Sequence, residues 1–517
     1  MRLGLVMTNN TSTSYLNPVV SCVNGRFVRL STISCLLSEM RGFPTSRLRR
    51  FFSSQRALVS DGLLSRLESV ANRVTTNPSL LDRHGDDESH HASVPPEAVV
   101  YAHSTEEVSA IVKVCAEARV PLISFGTGTS LEGHIAAVHG GICLDCSEMN
   151  AVLEVNAEDM DARVQAGVTR LALNSYLNGT GLHFPVDPGA DASIGGMCAT
   201  GASGTSTVKY GTMRENTLGL TAVLASGEVV RTGGRARKSS AGYDLTRLLV
   251  GSEGTLGVIT EAQVKLHPLP AAVSAATCNF PDLTSAASAV AMLLQCGVPL
   301  ARSELLHSSA IAAFNAYAKD VPDLEERPTL FLELEGVSED AVSALAEVAR
   351  TCCDEHGGGA FQWASSESER RRLWAARHGT YYASLALRKG SRGIVTDAVV
   401  PISRLAEVMT ATAADVQESG VVGPIFGHAG DGNFHCILLV KEDDPPEYVA
   451  LLEGINDRLI QRTLAMGGTC TGEHGVGIGK KKYLATEKGQ GAVDMMRTIK
   501  RALDPLGILN PGKVIDA

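Results

Sequence analysis

The stretch from Val186 to Thr205, VDPGADASIGGMCATGASGT, constrains the fold more than any other part of the chain. Most of it is Gly, Ala, Ser, Thr or Cys. Side chains this small let the backbone itself touch a large flat molecule or a phosphate, because glycine has no Cβ to hold a partner off. Successive amides in such a turn can also form an anion-binding nest. A flexible linker fits poorly, since Ile194, Met197 and Cys198 are apolar and the flanks read as strands. The alternatives that remain are a small-residue packing surface and one wall of a binding site.

A second glycine-rich segment supports the wall. Phe125-Gly126-Thr127-Gly128-Thr129-Ser130-Leu131-Glu132-Gly133 follows a strand-like run, Pro121 to Phe125. A strand feeding such a turn points its amides at a ligand phosphate. No Gly-Lys-Ser/Thr follows, so this is not a Walker loop. The helix that a dinucleotide fingerprint opens is also missing, which disfavours an NAD-linked enzyme.

The 517 residues suffice for two or three domains, and 44% hydrophobic with 20% charged residues is the balance of a globular protein. No run approaches the ~18 consecutive apolar residues of a membrane span. The first sixty residues stand apart: eight arginines, no lysine, one acid (Glu39) and frequent serine. That pattern reads as a mitochondrial or plastid transit peptide, with Arg49-Arg50-Phe51-Phe52-Ser53-Ser54 as a processing site and cleavage near Leu58; the alternative is a basic tail. Without the segment, net charge moves from −10 to −17. A body that acidic is a poor partner for nucleic acid. Of the twelve cysteines, Cys143 and Cys146 have redox-motif spacing but sit in a strand-like run with no helix after it, so they read as structural.

The order of elements predicts an α+β protein. Residues 1–59 are read as the presequence, 60–94 as a helical lead-in, 95–270 as the first domain, 271–480 as a second, cap-like domain, and 481–517 as a helical segment returning to the first. In the first domain, short strands alternate with helices over 105–119 and 169–177, and Ser226-Gly227 turns a hairpin. In the second, helices over 283–296, 338–355 and 367–388 with strands over 329–336 and 394–400 follow a β-α-β-β-α-β rhythm, which predicts a ferredoxin-like sheet. A helix over 446–465 follows it.

Gly427-His428-Ala429-Gly430-Asp431-Gly432-Asn433-Phe434-His435 reads as strand, tight turn, strand. Folding back brings His428 near His435, which serves either a structural pair or a metal half-site. Glu473, in Thr471-Gly472-Glu473-His474-Gly475, is a candidate third ligand. Arg377 carries a fork suited to a carboxylate, with an exposed helix arginine as the alternative. Asn433 is a candidate hydrogen-bond partner for a substrate carboxylate.

Taken in order, Gly126-x-Gly128-Thr129-Ser130-Leu131-Glu132-Gly133, Pro188-Gly189-x-x-x-Ser193-Ile194-Gly195-Gly196 and Gly251-Ser252-Glu253-Gly254-Thr255-Leu256-Gly257-Val258-Ile259-Thr260 resemble the FAD domain of vanillyl-alcohol oxidase (PCMH-type) flavoproteins. The C-terminal half is similar to their FAD-linked D-2-hydroxyacid dehydrogenase branch. The resemblance runs from about residue 95 to 513. It implies a two-subdomain PCMH-type FAD-binding domain plus the ferredoxin-like cap. It also implies that Gly126, Thr127, Gly128, Thr129 and Ser130 hold the pyrophosphate, with Phe125 and Gly133 as further cofactor-binding residues. Pro188, Gly189, Ala190, Ser193, Ile194, Gly195, Gly196, Thr200, Gly201, Ser203 and Gly204 would line the flavin, and Glu253, Gly254, Gly257, Ile259 and Asn510 would close over it. Some relatives attach FAD through a His in the first loop; Thr129 stands there, implying a non-covalent flavin.

The resemblance further decides for His428, His435 and Glu473 as ligands of a divalent metal, Zn or Mn, and for His474 as general base, with Arg377 and Asn433 on the substrate. Relatives that take dicarboxylates carry a lysine on the strand after the Arg377 helix. Here it reads Gly393-Ile394-Val395-Thr396-Asp397-Ala398, which argues for a small monocarboxylate, D-lactate first, with D-2-hydroxyglutarate or glycolate as the near alternatives. Electrons would pass to cytochrome c, a quinone or an electron-transfer flavoprotein. A homodimer, a peroxide-producing oxidase and a non-catalytic flavin-binding subunit are further readings; four intact candidate residues, His428, His435, Glu473 and His474, oppose the last.

Overall fold

A parallel three-strand core, Ala98–Tyr101, Ile142–Asp145 and Leu122–Phe125, starts the first domain of the computed structural model. The structure describes residues 22–23, 26–27, 59–318 and 323–516. The expected presequence and its processing site lie outside these, apart from a separate antiparallel pair, Cys22–Val23 with Arg26–Phe27. The three core strands are almost wholly buried, as parallel strands covered on both faces must be. The lead-in, expected to be helical, forms helices Asp61–Glu68 and Pro78–Arg83 and between them adds strand Arg73–Thr75 to the edge of the core strands. Helix Thr105–Ala118 covers one face with Val108, Ile111, Val112 and Cys115. Ser104 caps its first turn and Arg119, in the left-handed region, ends it. Cys143 and Cys146 are buried beside Asp145, and burial pushes both thiols up, consistent with a structural role.

A second sheet of five antiparallel strands runs in the order Val229–Arg231, Thr217–Val223, Val258–Lys265, Asp161–Gln165, Val152–Asn156. Against it lies helix Ile194–Thr200, formed from the small-residue stretch itself. Ser193 caps the helix and Gly201, at φ 68°, ends it. Gly195 lets it settle on the sheet: a Cβ there would stand 2.5 Å from the Cβ of Ala166.

The cap is an eight-stranded sheet with only antiparallel pairings, wider than the four strands of a ferredoxin-like unit. Strands Ala272–Asn279, Thr329–Gly336 and Leu300–Leu306 lead through Ile425–His428 to Asn433–Val440. The run expected as one strand over 394–400 is divided into Arg392–Val395 and Ala398–Val399, both paired with Asn433–Val440. The division turns Thr396 and Asp397 inward. Helix Pro446–Ala465 falls where the periodicity predicts it. The chain then returns: Leu509 bridges to Leu122, and the Leu122 amide donates to the Ile508 carbonyl at 2.7 Å.

Candidate active site

The glycine loop and the small-residue wall face each other across a cleft that both of them line. Of the expected cofactor residues, Gly126, Thr127, Gly128, Thr129, Ser130, Pro188, Ala190, Gly196, Thr200, Ser203, Glu253, Gly254 and Asn510 line it. Among the described residues, the amides of Gly126 to Ser130 donate to no protein acceptor, which leaves a nest open to an anion. Gly126 permits the closeness of loop and wall, since its Cβ would meet Ser193 Oγ at 2.4 Å. These residues fit a flavin dinucleotide.

The other ten are not among the residues that line the cleft, and most of them have a packing role beside it. Phe125 is buried against His84, and Gly133 faces Ile478 and His91. Ser193, Gly195 and Gly201 build the wall helix, whose Ile194 enters the core together with strand residue Ile259. Gly204 crosses Asp187 so tightly that a Cβ would fall 1.6 Å from its carbonyl oxygen. Gly257 faces the Val223 carbonyl. Gly189 turns at φ 83° beside the lining pair Pro188 and Ala190. His134 and Ser124 line the cleft without having been singled out in the sequence.

At one end the cleft is lined by Glu473 and His474, which tie it to the histidine pair. The hairpin explains the pairing. His428 is opposite Asn433 in the register, so His435, two residues on, shares its face as a diagonal neighbour. The His428 and His435 Nε2 atoms each lie 3.2 Å from Glu473 Oε1, and the three candidate ligand atoms lie within 4.8 Å of one another. Each imidazole is held from behind. His428 Nδ1 is 2.7 Å from Glu304 Oε1, and His435 Nδ1 is 3.0 Å from the Thr396 carbonyl. Such backing fixes the ring and frees Nε2 for a cation, so the donor set fits a divalent metal. Burial opposes charge on His428, but Glu304 and Glu473 override it and hold the ring well above its ordinary value. A bound cation would reverse that, since it needs the neutral ring.

Arg377 and Asn433 are both held by buried carboxylates. Arg377 is not the exposed helix residue of the alternative reading. Its side chain is 11% exposed, and Nε donates to Glu304 Oε2 at 2.6 Å, behind His428. Asn433 does not offer its amide donor to a substrate: Nδ2 is 2.8 Å from Asp397 Oδ1 and 3.1 Å from the Ala398 carbonyl.

His474 stacks on His435 with ring centroids 5.0 Å apart and planes 13° apart. Burial first, then Lys480 and the adjacent His435 ring, depress its pKa to about 4 against the pull of Asp397 and Glu473. The ring is therefore neutral near pH 7, as a base must be. Four charged residues of the site escaped the sequence reading as structural partners: Glu304, Asp397, Lys480 and, in its actual role, Glu253. Only Glu304 leaves a trace in the sequence, as an acid set before an apolar pair in Ser303-Glu304-Leu305-Leu306.

The geometry agrees with the comparisons. Residues 96–233 match the FAD binding domain family, and 269–514 match the family of FAD linked oxidases, C-terminal domain. A protein named probable D-lactate dehydrogenase, mitochondrial, from Danio rerio is 47% identical over 90% of this chain and 94% of its own. D-lactate dehydrogenase [cytochrome], mitochondrial, from Arabidopsis thaliana is 42% identical over 88% of this chain and 80% of its own. The fold is shared with p-cresol methylhydroxylase, at TM-score 0.72 and 18% identity over 89% of this chain and 98% of the other. With the cleft, its two glycine-rich walls and these relatives in place, the chain belongs to the FAD-linked oxidases, FAD-dependent oxidoreductases among which its similar relatives are mitochondrial D-lactate dehydrogenases.

Proposed function

We propose that this protein is a mitochondrial dehydrogenase of small D-2-hydroxy acids, converting D-lactate to pyruvate and passing the electrons to cytochrome c. The observation that carries the reading is the meeting of two sites: Glu473 and His474 line the end of the cleft while Glu473 also joins the converging Nε2 atoms of His428 and His435. When bound, a flavin accepts the hydride from C2 and a divalent cation lowers the pKa of the 2-hydroxyl. His428, His435 and Glu473 would hold the cation. The loop of Gly126 to Ser130 would hold the pyrophosphate without a covalent link, since Thr129 offers no imidazole.

His474 takes the hydroxyl proton. Its burial keeps water from competing, and its low pKa keeps it unprotonated beforehand. Arg377 acts through Glu304, orienting His428 and raising its basicity as a ligand. The substrate's size follows from charge. Lys480, the cation beside Asp397, is buried between Glu132 at 3.0 Å and Asp397 at 3.4 Å, so it is unavailable to a second carboxylate. The names of the similar relatives, which include both D-lactate and the bracketed cytochrome, support substrate and acceptor.

Anaerobic reduction of the bound flavin tests this, using D-lactate, L-lactate and D-2-hydroxyglutarate before and after chelation. Bleaching by D-lactate, with L-lactate inert and the rate lost on chelation, is expected. Faster bleaching by D-2-hydroxyglutarate would overturn the size argument, and a rate indifferent to chelator would remove the metal.

A further inference from the structure

His474 gets little help from its own side chain. Among the described residues its Nδ1 is buried without a hydrogen-bond partner, Glu473 Oε1 is 4.0 Å from Nε2, and a carboxylate oxygen of Asp397 lies within 4.8 Å of a ring nitrogen. Apart from the stack on His435, its backbone must place it. That backbone is held in an unusual way. Asp397 Oδ2 accepts the amides of Gly472, Glu473 and His474 at 2.8, 3.0 and 2.9 Å, and the Thr471 hydroxyl at 2.8 Å. Two residues further on, Glu253 accepts the amides of Val476 at 2.6 Å and Gly477 at 2.8 Å. One carboxylate comes from the cap and the other from the first domain, and both are buried.

We infer that Asp397 and Glu253 are positioning residues for the proposed base: gripping the segment 471–477 from the two domains, they fix where His474 stands. The inference rests on the reading of His474 as base. Charge-assisted bonds to backbone amides are the strong class of hydrogen bond, and here five amides converge on two carboxylates. Each carboxylate has a buried cationic neighbour that makes its burial tolerable. Lys480 Nζ lies 3.4 Å from Asp397 and 3.0 Å from Glu132, directly after the glycine loop, and His134 Nε2 lies 3.1 Å from Glu253 Oε2. Glu253 itself sits at φ 54°, a strained conformation for a residue with a Cβ, stabilised here by the bonds its side chain makes. The grip thus joins loop, cleft and cap in one set of contacts.

A double-mutant cycle separates positioning from general structural support. Flavin reduction by D-lactate is followed in stopped flow for wild type, Asp397→Asn, Glu253→Gln, His474→Ala and the two pairwise combinations with His474→Ala. Each carboxylate variant alone should slow reduction, read per bound flavin, roughly a hundredfold, the penalty expected for misplacing a reacting group by about 1 Å. In the His474→Ala background each should cost only about twofold, because the base it positions is gone. Hydrogen exchange of the peptide spanning 471–477 should quicken in both variants. Equal losses in both backgrounds, or unchanged rates, would overturn the inference. If one variant does not fold, the other decides. If wild type is reduced by another of the three acids instead, the substrate reading fails alone and the same cycle is run with that acid. Reduction by none of them removes His474 as base, and the inference with it.

Discussion

His474 is a histidine made unusable as an acid and available as a base. Its ordinary pKa is 6.5, and burial with His435 and Lys480 nearby brings it to about 4. Reduction of the flavin by D-lactate should therefore keep its rate from neutrality down to about pH 4 and fall below it, as the ring gains its proton. A limb near 6.5 in the pH profile of the reduction rate would show that the ring is accessible to water. Stability follows the same sign. Above 6.5 the ring is neutral folded and unfolded; below it the unfolded chain takes a proton that the folded one refuses until about 4, so the native state weakens across that window.

At the next scale, the helix Ile194–Thr200 shows why the small-residue stretch is written as it is. Gly195→Ala places a methyl 2.5 Å from the Ala166 Cβ and 2.9 Å from the Ala166 carbonyl oxygen, neither of which is the free end of a flexible chain. The variant should lose about 1–3 kcal/mol by overpacking, read as a lower midpoint in thermal unfolding, and should release flavin sooner as the wall lifts. An unchanged midpoint would mean that helix and sheet separate easily. These local devices were legible in the sequence. Glycine density marked the two walls, and the Gly430-Asp431-Gly432 turn placed His428 and His435 on one face. What escaped notice lies far apart in the chain. Glu304 meets His428 across 124 residues, Asp397 holds the amide of His474 across 77, and Glu253 holds that of Val476 across 223. No periodicity reports such pairings, because the partner is set by sheet order and not by spacing. Arg377 and Asn433 drew attention as free polar groups for the same reason: the carboxylates that occupy them are invisible from the neighbouring sequence.

Across the whole molecule, the chain finishes the first domain last. Leu509 joins the edge of the parallel sheet, Asn510 Nδ2 donates to the carbonyls of His134 and Glu253 at 3.1 and 2.8 Å, and Lys513 Nζ reaches the Ala136 carbonyl at 2.7 Å. A variant ending at Leu503 removes all of these from the floor of the cleft. It should purify without flavin while the cap sheet, whose contacts lie elsewhere, stays folded; stoichiometric flavin in such a protein would show that the tail is dispensable. The seam between the domains has its own consequence. Because the segment bearing the proposed base is anchored on both sides of it, any parting of cap and first domain would displace His474 as it uncovers the cleft, so the two-sided anchorage would tie the proposed proton transfer to a closed molecule.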